Sequence, residues 1–473
     1  VSAGWYHKFS QKFGIAAIAA FSHLDGFFRN EYNGKKIDKE NNWSGRLRFN
    51  WNLSSELTVQ NVAASGFLKQ GGYPYESKES GKISYNDTCF YRRFTFTDGL
   101  TVRYAPENFV LTSITAVQHL DDNMTLDQDF LPEDFFTLTQ KKRDTALSED
   151  IVVRGNRVGE TYNWLFGAFG FFKHLDMKAP VTFKDKGVAE LIEAHRNSAN
   201  PDYPIRWDSR SFCLNSDFLT DTYGLAVYHK SDVTLGNFNI SAALRLDYEH
   251  STLDYHSYCS TSYTIYQRQG EDFIPYHKIP VDIDDKGKLS RSFLTLLPEV
   301  AATYMLPNGH GNLYAKVNKG YKAGGFNTQM FSDVLQQRLM GIMGIGAQYD
   351  VDDVVGYHPE KSWNFEVGTH LDLCSNRLSL DADLFYIDCR DQQLTMFPDG
   401  TTTGRIMTNA GKTRSFGGEV SVGWHLNDRV NLSGSYGYTN ARFMEFFNGI
   451  SDFKGKYIPY APRNTLFLQG LYT

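Results

Sequence analysis

The chain has 473 residues, a formal net charge of −6 and a mean hydropathy of −0.42. No stretch approaches the ~18 consecutive apolar residues of a membrane helix, which excludes a helical membrane protein. The slight acidity and the dispersed basic residues give no support for nucleic-acid binding. Aromatic residues nevertheless make up 15% of the chain, and β-strands and membrane interfaces use such residues heavily.

Apolar and polar side chains alternate along many segments of the chain. Alternation at period two is typical of a strand with one apolar face and one wet face. In the first clear segment, Trp43, Leu47 and Trp51 oppose Arg46 and Arg48. The same pattern recurs in segments 235–249, 363–371, 378–388, 416–424 and 430–439.

The connections between about 17 strand candidates alternate between short turns and long segments. A soluble sheet also alternates, but it rarely carries several structureless loops beyond ~12–15 residues. Outer-membrane barrels combine short periplasmic turns with long extracellular loops. The pattern therefore predicts an all-β fold, a large antiparallel transmembrane β-barrel. The predicted long connections are 25–41, 68–89, 121–144, 174–220, 250–291, 320–361, 389–413 and 442–463.

A sheet that spans a bilayer has to close on itself, because hydrocarbon offers its edges no hydrogen-bond partner. Single-chain bacterial barrels have even strand numbers, whereas the count of about 17 is odd. We therefore expect residues 1–473 to be one incomplete barrel domain, with strands missing at one or both ends.

The predicted loops contain several features with more than one interpretation. Segments 186–197 and 332–343 carry apolar residues at helical spacing and predict loop helices. Cys213 and Cys259 could form a disulfide or remain unpaired thiols. Two acidic clusters, Asp282, Asp284 and Asp285 in one and Asp350, Asp352 and Asp353 in the other, could take Ca²⁺, although solvated loop charge is the favoured interpretation. No metal site is predicted.

The second half of the chain resembles TonB-dependent outer-membrane receptors. The motifs that carry the resemblance occur in the family's order and spacing: GYKAGGFN at 320–327, PEKSWNFEVG at 359–368, LFYID at 384–388, DQQ at 391–393, NAGKTRSFGGE at 409–419, ARF at 441–443, IP at 458–459 and APRNT at 461–465. Weaker matches at 25–30, 33–35 and 44–47 are similar to the ferric-siderophore branch, of the yersiniabactin/pesticin receptor type.

The resemblance implies a 22-stranded parent barrel around an N-terminal plug domain. A plug, a TonB box and the terminal strand are absent from this sequence. It implies a receptor in the outer membrane, not an enzyme, that imports a ferric siderophore and has no cofactor of its own. The implied partners are outer-membrane lipid, the siderophore, the protein's own plug, and TonB–ExbB–ExbD through the missing N-terminal region.

Other functions fit the same architecture. Haem, cobalamin, thiamine-like vitamins and glycans are alternative ligands for such a receptor. A passive porin and a surface adhesin are alternatives from other classes. An outer-membrane hydrolase has no support, because the sequence has no GxSxG motif.

The first candidate binding residues lie near the bases of two predicted loops. Arg92 and Arg93 begin a strand at the extracellular end, and one of two adjacent side chains must point into the lumen. An inward arginine could contact an anionic ferric complex, or it could pair with a lumen carboxylate or the plug. Tyr73 and Tyr75 are a candidate aromatic pair, and simple loop packing is the alternative.

Two further pairs complete the candidate ligand-binding residues. Tyr321 and Phe326 flank the pair Gly324–Gly325, where a backbone could approach a ligand or the plug. Tyr255 and Tyr258 belong to an aromatic-rich segment that suits either a cover over a chelate or an interfacial girdle.

Overall fold

The computed structural model describes most of the chain. The described residues are 1–76, 80–127, 129–155, 161–328, 351–375, 377–396, 406–447 and 451–472. Among them, no helix is long and apolar enough to cross a membrane.

Antiparallel strands dominate the described residues, and the fold is all-β. The first half contains β1 Ser2–Lys8, β2 Phe13–Leu24, β3 Glu40–Asn52, β4 Leu57–Gln70, β5 Phe90–Tyr104, β6 Phe109–Asp127, β7 Phe136–Gly155, β8 Tyr162–Lys178, β9 Val181–Phe183, β10 Ile205–Trp207 and β11 Phe212–Leu235. The second half contains β12 Phe238–Gln269, β13 Asp272–Met305, β14 Gly311–Lys322, β15 Gly325–Phe326, β16 Gly356–Tyr357, β17 Glu360–Leu373, β18 Leu378–Met396, β19 Ile406–Asn427, β20 Val430–Glu445 and β21 Asn464–Tyr472.

Long strands pair with their neighbours in chain order, as expected for an up-and-down barrel wall. The ladder runs β1 to β8, continues through β11 to β14, and ends with β17 to β21. These are 17 long strands within the described residues, which confirms the predicted number. β1 and β21 are the two edges of the sheet, and no ladder joins them in the part of the chain that the structure describes.

One face of this sheet is a continuous apolar surface. In one transverse row, Val227, Leu246 and Leu296 lie opposite one another and are 42–58% exposed. Tyr228 and Arg245 share the opposite face. The alternation in the sequence predicts that Trp43, Trp363 and Trp424 face outward, and all three are exposed on the strands rather than buried in an interior core. The apolar face therefore contacts lipid and the other face lines the lumen.

One end of the strands carries only short turns, while the other end carries the long connections. The turns at 9–12, 53–56, 105–108 and 306–310 are short, while segments 25–39, 71–89 and 179–211 at the other end are long. The prediction was wrong for 250–291, because β12 and β13 continue as a hairpin whose turn is only residues 270–271. The predicted connection 121–144 was also too long, because β6 and β7 leave only residues 128–135 between them.

Sequence alternation is weak in the β12–β13 hairpin because its distal part stands above the lipid. There the outward face is polar, with pairs such as Asp254 and Lys288, whose ends are 3.1 Å apart. Pro275 and Pro280 also reduce the strand signal. Among the described residues β13 pairs with β14 only from Glu299 onward, and proline is tolerated on a strand edge that has no neighbour.

A helical segment packs on the inner face of the extended wall and confirms the predicted helix at 186–197. It comprises α1 Asp185–Gly187, a π-helical turn Val188–Glu193 and α2 Ala194–Ala199. Val188 and Ile192 are buried in a cluster with Phe183, Trp207 and Phe212. We call this cluster and its helix the extracellular cap. A short helix α3 spans Val351–Val355, and the predicted helix at 332–343 lies outside the described residues.

All five cysteines are free thiols in the structure, so Cys213 and Cys259 do not form the disulfide that was one of the two alternatives. Cys213 stands in β11 opposite Thr182, and its thiol accepts a hydrogen bond from the Thr182 hydroxyl. Cys259 is buried in the extracellular cap.

Candidate ligand-binding site

The adjacent arginines at the start of β5 point to opposite faces of the sheet. Arg93 lies on the lumen face, and its Nη2 is 2.8 Å from Oδ2 of Asp122 in β6. Tyr91 donates its hydroxyl to the same oxygen at 2.8 Å, and the Arg93 guanidinium lies 4.9 Å from its ring centre. Arg92 lies on the outer face, 4.8 Å from the ring of Phe90. Only Arg93 therefore faces the lumen.

Arg93 retains access to a ligand despite its ion pair. Its side chain is 42% exposed, whereas that of Asp122 is 12% exposed. The same wall carries Lys142 and Lys173, whose ammonium groups lie 3.6 Å and 3.0 Å from Oδ2 of Asp144. This part of the lumen therefore presents several cations that share few carboxylates, an arrangement suited to an anionic ligand.

Tyr73 and Tyr75 form an aromatic patch with a residue that the sequence interpretation missed, Phe130. The ring centres of Tyr73 and Tyr75 are 6.1 Å apart, and those of Tyr75 and Phe130 are 4.8 Å apart with an edge-on geometry. The Tyr73 hydroxyl lies 3.9 Å from Sδ of Met124, which stands opposite Tyr91 in the β5–β6 ladder. Met124 therefore links the aromatic patch to the strand pair that carries Arg93.

The sequence offered only a weak signal for Phe130. Its backbone is left-handed, with a φ of 57°. This conformation is uncommon for a bulky residue and occurs where the surroundings hold it in place. An aspartate three residues earlier is a common turn signal, but it does not indicate which ring faces a ligand.

A group of carboxylates and one lysine joins three extracellular connections beside the aromatic patch. Asp127 is fully buried, and its two carboxylate oxygens accept the backbone N–H groups of Asp87 and Phe130 at 3.1 Å and 3.0 Å. Asp87 also binds Lys184, which pairs with Asp134 at 3.2 Å. We call Asp87, Asp127, Asp129, Asp134 and Lys184 the carboxylate clasp.

Burial dominates the electrostatics of the carboxylate clasp. It raises the pKa of the Asp127 carboxyl to about 6, and the charges of Asp129 and Asp87 add to this while backbone hydrogen bonds oppose it. Burial likewise raises the pKa of Asp129. The pKa of Lys184 is raised because its hydrogen bonds to Asp87 and Asp134 outweigh the effect of burial. Asp127 therefore takes up a proton at a higher pH than an ordinary aspartate does.

Tyr321 and Phe326 lie on a different wall, near β13. Phe326 packs against a buried cluster with Val351 and Val355, and the Arg291 guanidinium is 5.9 Å from its ring centre. Arg291 in turn lies 2.9 Å from Asp352. A side chain at Gly324 would meet the carbonyl oxygen of Tyr357 at 2.5 Å, so this glycine permits a close approach of two backbone segments. The double glycine therefore serves packing within the chain.

Tyr255 and Tyr258 stand on opposite faces of the β12–β13 hairpin. Tyr255 packs against the same buried cluster as Phe326. Tyr258 is 37% exposed on the outer face, with its ring centre 4.7 Å from that of His256. The structure therefore groups Tyr255 with Phe326 and separates Tyr258 from the other candidates.

One carboxylate of each predicted acidic cluster has a basic partner in the structure, Asp284 in the first cluster and Asp352, beside Arg291, in the second. Asp284 lies 2.7 Å from His256 and 3.2 Å from Lys286. Within the described ranges, no group of three or more His, Cys, Asp or Glu side chains is arranged to hold a metal ion.

A lumen-facing arginine and an apolar outer belt occur on one barrel wall, and an aromatic patch lies in the connections that extend from it. A family model described as "TonB dependent receptor-like, beta-barrel" matches residues 6–473. The chain belongs to the TonB-dependent receptor family. Receptors of this family are outer-membrane transporters rather than enzymes, and the apolar belt of this chain agrees with a place in the outer membrane.

Solved structures of TonB-dependent receptors share this fold at low identity. The ferric yersiniabactin uptake receptor FyuA from Yersinia pestis matches with a TM-score of 0.71 and 18% identity, over 98% of this chain and 62% of its own. The siderophore receptor PiuA from Acinetobacter baumannii matches with a TM-score of 0.67 and 11% identity, over 100% of this chain and 67% of its own. The ferric citrate transporter FecA matches with a TM-score of 0.63 and 16% identity, over 99% of this chain and 60% of its own. The chain thus spans 62% of the length of FyuA.

Proposed function

We propose that this TonB-dependent receptor imports an iron–siderophore complex, with energy supplied through TonB. The observation that carries the proposal is the pairing of Arg93 with Tyr91 on the lumen face, next to Met124, which the aromatic patch of Tyr73, Tyr75 and Phe130 contacts through the Tyr73 hydroxyl. Ferric siderophores are bulky, often anionic and often aromatic. A cation beside aromatic faces is the chemistry that recognises such a ligand.

The structural neighbours support the same ligand class. FyuA is a ferric yersiniabactin uptake receptor, PiuA is a siderophore receptor and FecA is a ferric citrate transporter. Their low identity establishes a common fold, so the choice of ligand rests on the side chains of this chain. In this proposal Arg93 neutralises charge on the chelate while Tyr75 and Phe130 contact its apolar faces.

Competition binding on the purified full-length receptor tests the ligand class. A panel of catecholate, hydroxamate and phenolate siderophores loaded with Fe³⁺ is compared with the same metal-free chelators, haem and cobalamin. We expect tight binding of at least one ferric siderophore and poor competition by the metal-free forms. Tight binding of haem or cobalamin alone would overturn the siderophore assignment.

Uptake of radioactive iron by cells tests the energy source separately. We propose that a plug domain and further strands complete a 22-stranded barrel in the full-length protein, and that TonB with ExbB–ExbD drives release. Cells that lack TonB are then expected to bind the ferric siderophore without accumulating it. Equal accumulation with and without TonB would instead indicate a passive pore.

A further inference from the structure

The turn that carries Phe130 is hydrogen-bonded to a buried carboxylate. Asp127 accepts the backbone N–H of Phe130 at 3.0 Å and is fully buried. This hydrogen bond helps to hold Phe130 in its left-handed conformation, with a φ of 57°, and the Phe130 ring then lies 4.8 Å from that of Tyr75. A bulky residue keeps such a conformation only where its surroundings determine it.

Asp127 also ties this turn to the connection that carries Tyr73 and Tyr75. Its Oδ2 accepts the backbone N–H of Asp87, and its own N–H donates to Sγ of Cys89 at 3.1 Å. Cys89 is buried with Tyr85 and Ile83 in the same connection. One side chain therefore contacts both segments that form the aromatic patch.

We infer that Asp127 is a positioning residue for the aromatic patch, and that protonation of the carboxylate clasp controls how firmly the patch is held. The ligand-binding role of the patch rests on the proposed function, whereas its dependence on Asp127 does not. Among the described residues, the titratable and charged groups that face Asp127 or its partners are Tyr85, Asp87, Cys89, Asp129, Asp134 and Lys184.

The direction of the pH effect follows from the balance of charge. Asp127 and Asp129 repel each other when both are ionised, and Lys184 is already shared by Asp87 and Asp134. The pKa of Asp127 is raised to about 6, so the folded turn binds a proton more tightly than the unfolded turn does. The stability that this proton gives to the turn is fully present below the ordinary pKa of ~4, and it is lost as the pH rises through about 6. The patch is therefore held more firmly in acid.

Hydrogen exchange measured by mass spectrometry on the ligand-free, full-length receptor tests this inference. After correction for intrinsic exchange rates, protection of residues 129–136 is expected to fall about tenfold between pH 5 and pH 7.5. Asp127→Asn keeps a carbonyl oxygen for the Phe130 N–H but has no ionisable carboxyl, so the pH dependence of its protection should be much weaker than in the wild-type protein, with Asp129 still able to titrate. Asp127→Ala loses the acceptor, so its protection should be low at both pH values.

Asp254→Asn, which removes an exposed partner of Lys288 in the β12–β13 hairpin, is the matched control and should keep the wild-type pH profile. A flat profile in the wild-type protein overturns the inference, and this measurement needs no variant. An unchanged slope in Asp127→Asn overturns it as well. The measurement uses no ligand, so it tests the role of Asp127 even if the receptor proves not to bind a siderophore.

Discussion

Adjacent residues in a barrel strand have different functions because their side chains point to opposite faces. Arg93 faces the lumen beside Asp122 and Tyr91, while Arg92 faces outward over Phe90. The alternation of the strand shows that one of the two must point inward, but it does not show which one. The ladder register decides this, because it places Arg93 directly opposite Asp122.

Substitution of the two arginines tests this assignment. Arg93→Gln is expected to weaken binding of an anionic ferric siderophore about tenfold to hundredfold, because a hydrogen bond to a charged group contributes ~1.5–3 kcal/mol. Arg92→Gln is the matched control and should leave the affinity near that of the wild-type protein. Isothermal titration of the full-length receptor measures both, and equal losses in the two variants would contradict a specific role for Arg93.

Phe130 illustrates what sequence reasoning misses at the residue scale. Tyr73 and Tyr75 were predicted as an aromatic pair, and their ring centres are 6.1 Å apart. Phe130 joins them from a connection more than fifty positions later in the chain. No local pattern encodes this contact, because it depends on the packing of two loops above the barrel.

At the scale of elements, the extracellular cap is a folded unit rather than a flexible loop. The helical segment places Val188 and Ile192 on the inner face of the wall, where both are almost fully buried. Helical spacing in the sequence indicated this segment correctly. The extra length of β12 and β13 was not indicated, because the part of the hairpin above the lipid has a polar outer face.

Removal of one buried side chain tests the cap. Ile192→Ala is expected to lower the local free energy of unfolding by ~2–5 kcal/mol, since Ile192 is only 1% exposed. Leu191→Ala is the control, because Leu191 is 37% exposed. Hydrogen exchange of residues 181–214 should rise in the first variant alone. If both variants exchange as the wild-type protein does, the cap has no cooperative core.

At the scale of the whole molecule, the bilayer determines the barrel pattern. Leu244 lies on the lipid face at 48% exposure, and the neighbouring Ala243 faces the lumen. An arginine in the hydrocarbon costs ~2–4 kcal/mol near the bilayer midplane, whereas the lumen accepts charge. The two positions therefore differ strongly although they are adjacent in sequence.

Charge insertion at these positions tests the orientation of the wall. Leu244→Arg is expected to reduce the folded fraction of receptor in outer-membrane preparations, measured by heat-modifiable electrophoretic mobility. Ala243→Arg should stay close to the wild-type fraction. A larger loss at position 243 than at position 244 would contradict the assignment of lipid and lumen faces.

The sequence by itself determined the barrel class, the number of long strands and which faces carry Trp43 and Trp363. These properties follow from a period-two pattern that repeats along the whole chain, and lipid on one side enforces that pattern. Only the tertiary structure decided how far β12 and β13 extend and that Phe130, hydrogen-bonded to Asp127, packs against Tyr75. Above the bilayer the solvent no longer imposes a pattern, so contacts between distant loops determine the structure there.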